Sequence, residues 1–237
     1  MAYTNSSLVS YVKLSPNYNK RLNKIKKITI HHMAGNLSVE SCGNIFARRA
    51  RMASSNYAVG TDGRIAMYVE EKNRSWCSSN ATNDHQAITI EVANDGGAPN
   101  WHVSDKALAA TIDLCVDICK RNGIEKLVFT GNKNGNLTLH KYFAATACPG
   151  PYLESKIPYI VEQVNKRLGL TIDTALKNGD RVKLKAGATY YDGKKIPNWL
   201  FGMKLYVRSI TNDRVVVSTL KTGPITGAVN IKNLVKV

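Results

Sequence analysis

Four side chains in this 237-residue chain are of types that could do chemistry together: two histidines, a cysteine and a glutamate. His31 and His32 close the apolar-alternating run KITI. In a strand, Ile28, Ile30 and His32 share one face while Thr29 and His31 share the other. If the isoleucine face is the core, His32 packs inward and His31 points to whatever lies opposite. His140 ends a similar run, NLTLH, on the face of Thr138, and Cys148 follows eight positions later in ATACPG. Two imidazoles and one thiolate would give zinc three protein ligands and leave a fourth position open, the pattern of a catalytic rather than a structural site. Glu91, in AITIEV, lies with Ala87 and Thr89 on the face away from Ile88, Ile90 and Val92. A carboxylate in an apolar strand is costly unless it is solvated or has a partner. Beside a zinc-activated water it would serve as general base.

Secondary structure must bring these distant residues together. KITIHH (27–32) and AITIEV (87–92) read as strands, and SVESCGNIFARRARMA (38–53) as a helix capped by Ser38. NYAVGTDGRIAMYV (56–69) reads as a hairpin with a two-residue turn at Asp62-Gly63. Residues 104–123 form a helix between Ser104 and Gly123, and 158–169 a closing helix. Strands interleaved with helices predict an α/β class domain, a central mixed β-sheet flanked by helices, over residues 1–168. A polar joint follows at 169–178. RVKLKA, KLYVRSI, RVVVST and AVNIKNLVKV then alternate as short strands, predicting a small all-β SH3-like barrel over 179–237.

Charge limits the partners. Lys and Arg number 33 against 17 Asp and Glu, a net +16, which steers the chain toward a polyanion. Residues 178–237 hold eleven Lys and Arg against three Asp, so the field is densest on the small domain. Five cysteines at irregular spacing do not make a disulfide framework. Cys115 and Cys119, four apart in TIDLCVDICK, read as buried apolar residues. No apolar run reaches the length of a membrane span. The N-terminus has neither the basic start nor the apolar core of a secretory signal, so the chain is expected to be made in the cytoplasm of a host cell. It would then need release to act outside, as through a holin.

The ordered motifs ITIHHMAG, SSNYAVGTDGRI, SWCSSN, HQAITIEV and LHKYFAATACPG resemble the zinc-dependent N-acetylmuramoyl-L-alanine amidases of phage lysins and peptidoglycan recognition proteins. The resemblance spans roughly residues 7–168, and SLVSYVKLSPN is similar to endolysins of Gram-positive hosts. The C-terminal IPNW and TGPITGAVNIKNLVKV resemble, more loosely, bacterial SH3-like wall-binding modules. The resemblance implies Zn2+ on His31, His140 and Cys148, with Glu91 as acid–base and the Tyr57 hydroxyl at the developing oxyanion. It implies that Trp76 and Asn56 contact substrate. It places Thr146 among the catalytic residues, where many members carry Lys, although a hydroxyl cannot supply that positive charge. Cys77 stands where members often carry His; it is expected to line the groove without binding metal. The implied partners are peptidoglycan and anionic wall polymers of a Gram-positive host.

Two other classes fit part of the pattern. A non-catalytic peptidoglycan sensor on the same fold is expected to lack the cysteine ligand, and Cys148 is present. A nucleic-acid-binding protein would suit the charge, but the chain has no zinc-finger spacing, RNP-like aromatic pattern or basic recognition helix. GNKNGN (131–136) lacks the GK[ST] ending of a phosphate loop.

Overall fold

The computed structural model describes residues 3–169 and 176–237, and the chain divides into two compact units, Met1–Leu170 and Thr171–Val237. The joint expected at 169–178 lies largely outside the described residues.

In chain order the first unit contains β1 (Tyr11–Val12), β2 (Tyr18–Lys20), β3 (Lys27–His32), α1 (Val39–Phe46), β4 (Tyr57–Val59), β5 (Ile65–Met67), β6 (Asn73–Ser75), α2 (Ala81–Asp84), β7 (Ala87–Val92), α3 (Asp105–Asn122), β8 (Leu137–Leu139) and α4 (Pro151–Arg167). Six strands form a mixed sheet in the order β1-β5-β4-β7-β3-β8, in which only β4 and β5 are antiparallel. Strands β2 and β6 pair separately.

The period-two alternation of the strands creates two unlike faces. Ile28, Ile30, Ile88, Ile90, Leu137 and Leu139 are fully buried in one core with residues of α3 and α4. Each such side chain contributes about 1.5–3 kcal/mol relative to exposure. The opposite face carries Thr29, Thr89 and Thr138, buried but hydrogen-bonded, with α1 packing Val39, Cys42 and Phe46 beside them on Ala58, Ala66 and Tyr68.

Helix α3 starts where Ser104 Oγ accepts from the Ala107 amide at 3.1 Å. It stops at Gly123, whose φ of +65° favours glycine. Cys115 and Cys119 are buried in its apolar stripe.

Three boundaries differ from the sequence reading. The helix begun by Ser38 stops at Phe46 instead of 53, followed by a 3-10 turn at Arg49–Arg51 and a left-handed Met52 (φ +50°). Asn17 takes up carbonyls of this turn: its Nδ2 lies 2.8 Å from Arg48 O, 3.3 Å from Ala53 O and 3.4 Å from Phe46 O. The β4–β5 loop holds three residues, Thr61, Asp62 and Gly63, because Gly60 pairs with Arg64 and Gly63 takes φ +86°. Helix α4 begins at Pro151, in the first turn where a missing N–H costs nothing, and Pro158 lies inside it.

The second unit is an antiparallel sheet of β9 (Arg181–Leu184), β10 (Leu205–Thr211), β11 (Arg214–Ser218), β12 (Gly227–Asn230) and β13 (Leu234–Lys236), in the order β12-β11-β10-β9-β13. AVNIKNLVKV is two strands, split by a 3-10 turn at Ile231–Asn233 that Asn230 caps. Val182, Leu200, Leu205, Val207, Val215, Val217 and Val229 form a separate core. Leu176 packs on it, so the unit starts ahead of residue 179. Among the described residues no helix is long and apolar enough to cross a membrane.

Candidate active site

The site lies on the threonine face of the first unit's sheet. Parallel pairing of β3 with β7 sets His31 beside Glu91, two residues on from the Thr29–Thr89 pair. Pairing of β3 with β8 sets Thr29 beside Thr138, so His140, just past β8, lands next to His31 with ring centroids 4.5 Å apart. Below them is a hydroxyl layer. Thr29 and Thr138 are hydrogen-bonded at 2.9 Å, Asn83 Nδ2 donates to Thr29 at 3.0 Å, and Thr89 and Ser75 meet at 2.7 Å. Such a buried network links the strands' polar face.

Cys148 reaches the site from the loop ahead of α4. The His32 amide donates to its Sγ at 3.4 Å, the Lys141 amide to its carbonyl at 3.1 Å, and its own amide donates to Thr146 Oγ1 at 3.2 Å. One ligand atom each from His31, His140 and Cys148 lies within 4.8 Å of the others. Nε2 of His31 and Nε2 of His140 are buried with no hydrogen-bond partner, as is Oε2 of Glu91. Orphaned buried acceptors are rare unless something absent satisfies them. Burial holds the His31 imidazole well below its ordinary pKa, helped by His140 and His32, and burial lowers His140 too. Both rings are therefore neutral and free to ligate. The Cys148 thiol is pushed up by burial and by Glu91, so it stays protonated until a cation displaces the proton. Two imidazoles and one thiol fit a zinc ion with an open fourth position. Burial pushes the Glu91 carboxyl up to about 8, with the charge of Arg51 pulling against it.

Two expected site residues lie elsewhere. Tyr57 pairs with Ile90, so it points into the apolar core, fully buried. Its hydroxyl donates to Glu71 Oε1 at 2.7 Å and accepts from the Ser6 amide at 2.9 Å. It cannot reach an oxyanion beside Glu91. Asn56 is also fully buried: its Nδ2 donates to Val69 O at 3.1 Å and its Oδ1 accepts from the Thr89 amide at 3.2 Å. Its amide is committed to the protein and does not face substrate.

His32 also departs from expectation. It is half-buried rather than packed in the isoleucine core, with its ring edge-on to Trp101 at 5.4 Å. Trp76 lines a cavity of about 490 Å³ together with Glu91 and His140. Thr146 is exposed and borders a second, smaller cavity with Cys148.

Sequence reasoning missed Arg51, which lines both cavities and whose ARRAR run reads as a solvated basic face. Cys77, expected to line the groove without binding metal, is among the residues that line the larger cavity. Cys77 Sγ lies 3.9 Å from Glu91 Oε1, and the two form a second close-set group with His31. Ala34, Met52 and Ser79, all non-glycine residues at positive φ, line these cavities, and Trp101 at φ +54° abuts His32. Backbone strain of this kind gathers where a site over-determines the chain.

The fold and the site define a class: a mixed α/β domain with a three-donor candidate metal site and a buried carboxylate beside it. The chain belongs to the N-acetylmuramoyl-L-alanine amidase family Amidase_2, whose profile matches residues 21–151, more than half its length. No curated protein sequence matches it significantly. Among solved structures it is similar to PlyL, with TM-score 0.52 and 19% identity over 65% of this chain and 95% of that one. It is also similar to the PlyG catalytic domain, with TM-score 0.54 and 17% identity over 68% and 96%. A selenomethionine AmpD derivative gives TM-score 0.52 and 16% identity over 68% and 99%. At these identities the likeness is one of fold.

Proposed function

We propose that the chain is a peptidoglycan hydrolase of endolysin type that cuts the amide between N-acetylmuramic acid and L-alanine. His31, His140 and Cys148 would hold Zn2+. The observation that carries this reading is the convergence of three ligand atoms, two of them orphaned imidazole nitrogens, beside the orphaned Oε2 of Glu91. A metal there would polarise the scissile carbonyl and lower the pKa of a water at the open position to about 7. Glu91 then takes the proton of the attacking water on Oε2 and passes it to the departing alanine amine. The hydroxyl layer and the Cys148 loop fix the donors, and the neutral imidazoles need shed no proton to ligate. Thr146 shapes the Cys148 loop through its hydroxyl.

The second unit serves, in this reading, as an SH3-like module for anionic wall polymers of a Gram-positive host, supported by its separate core and concentrated positive charge. The test is release of free amine ends from purified walls, with and without a chelator, alongside a reducing-sugar assay. Amine release that the chelator stops, with no new reducing ends, is expected. Wall binding without amine release would make the chain a sensor instead.

A further inference from the structure

Two thiols approach His31 from separate loops, and only Cys148 has so far been given a role. One ligand atom each from His31, Cys77 and Glu91 lies within 4.8 Å of the others, as it does for His31, His140 and Cys148. The two loops are held by different partners. Asp84 Oδ2 accepts from the Cys77 amide at 3.2 Å, its Oδ1 accepts from the Ser78 hydroxyl at 2.6 Å, and Ser54 Oγ accepts from the Trp76 amide at 3.0 Å. The Cys148 loop is held instead through the His32 and Lys141 amides. Cys77 and Glu91 both line the cavity of about 490 Å³, which gives a cation a route to them. Glu91 Oε2 and His31 Nε2 are buried without a partner.

Charge distinguishes the two sets. With its thiol deprotonated, the set of His31, His140 and Cys148 brings one negative charge, so a divalent cation there keeps a net positive charge. The set of His31, Cys77 and Glu91 brings two, so the same cation is neutralised. A net charge is costly in a buried site, which favours the second set. A neutral imidazole has a single acceptor nitrogen, so His31 ligates in one set or the other and not in both. We infer that His31, Cys77 and Glu91 form a second position for a thiophilic divalent cation such as Zn2+, in exchange with the first. Its consequence for turnover rests on the amidase reading. A cation held there ties up the carboxylate that would take the proton, and it lacks the net charge that would polarise a carbonyl. The second position is therefore idle, and Cys77 sets how much of the bound zinc sits in it.

The test removes one thiol at a time from the full-length protein. Cys148→Ser deletes the first set's thiolate and leaves an oxygen for the His32 amide. Co2+ is the probe, because a thiolate ligand gives it a charge-transfer band in the near ultraviolet. Folded Cys148→Ser, checked by circular dichroism, should bind Co2+ and show that band. Adding Cys77→Ser should remove the band and weaken binding by about a hundredfold, since even an outer-shell change costs about 10–100-fold. With Cys148 intact and zinc bound, Cys77→Ser should raise kcat about twofold at unchanged KM if the two positions are equally filled. A role for Cys77 in packing alone would leave kcat unchanged or lower it, and this arm does not depend on the folding of Cys148→Ser. A Cys77-dependent band in a protein that releases no amine would sink the amidase and keep the second position. No band in folded Cys148→Ser, a band that survives Cys77→Ser, or a Cys77→Ser kcat at or below wild type overturns it.

Discussion

His31 and His32 are neighbours with opposite surroundings, and that contrast is testable. His31 is fully buried with its Nε2 unpartnered beside His140, whereas His32, whose Nδ1 also lacks a partner, is only half-buried against Trp101. His31→Ala should leave the fold and lose zinc by metal analysis, while His32→Ala should keep the metal. A folded His31→Ala protein with full zinc content would refute the ligand assignment. Tyr57 tests the corrected geometry. Tyr57→Phe strands the Ser6 amide and removes a partner of Glu71, at a cost of about 1–3 kcal/mol in denaturant unfolding, with turnover retained. A large fall in kcat at unchanged stability would return Tyr57 to the chemistry.

Glu91→Gln should keep zinc and slow hydrolysis by roughly 10²–10⁴. In the metal-free protein the same change has an opposite effect on stability. The folded carboxyl titrates near 8 and its ordinary value is 4.5, so the unfolded chain releases this proton first as pH rises. Stability from the group is complete below 4.5 and is lost as pH climbs through 8. Arg51 opposes the shift, and Cys77, Cys148 and His31 are the other titratable groups close by. The melting temperature of Glu91→Gln relative to wild type should therefore rise from about pH 5 to about pH 9. A flat difference would show that Glu91 is not protonated in the metal-free fold.

At the scale of elements, the threonine layer links strand pairing to metal geometry. Thr29 accepts from Asn83 and meets Thr138, so Thr29→Val leaves buried polar groups short of partners. A loss of about 1–3 kcal/mol in stability is expected, with weaker zinc retention on dialysis. Unchanged zinc affinity in a destabilised protein would separate the layer from the site. Alternation in KITIHH, AITIEV and NLTLH was enough to put His31, Glu91 and His140 on the non-isoleucine faces, because side chains alternate whatever the strand's neighbours. Register was not readable. Only the pairing of Tyr57 with Ile90 and of Ala58 with Glu91 shows that Tyr57 faces the core. The end of α1 was equally hidden, since the carbonyls that follow it are taken up by Asn17, some thirty residues upstream. Arg51 owes its position to that early stop and to the left-handed turn at Met52, so a helix continued to residue 53 could not have predicted it.

At the scale of the whole molecule, the two units carry separate cores, and charge sets the second apart. Twelve Lys and Arg against four Asp in residues 171–237 suit attraction to an anionic wall, and Leu176 in the unit's core argues for a fragment starting at residue 171. Joining two modules raises the local concentration of the first at an insoluble substrate without altering its site. Removal of residues 171–237 should therefore spare hydrolysis of small soluble muropeptides and impair lysis of intact walls. The effect should fade with salt if the contacts are solvated ion pairs, because the Debye length falls from about 10 Å at 0.1 M to about 3 Å at 1 M. Binding that persists in high salt would instead mark a pocket that reads a sugar or peptide. The first unit is itself basic, since the remaining half of the +16 is spread over it, so lysis alone cannot isolate the second unit's contribution. Pelleting of the 171–237 fragment with purified walls can. A fragment that folds, by its circular dichroism, yet stays in the supernatant at low salt would remove the wall-binding role from this unit and leave targeting to the charge of the first.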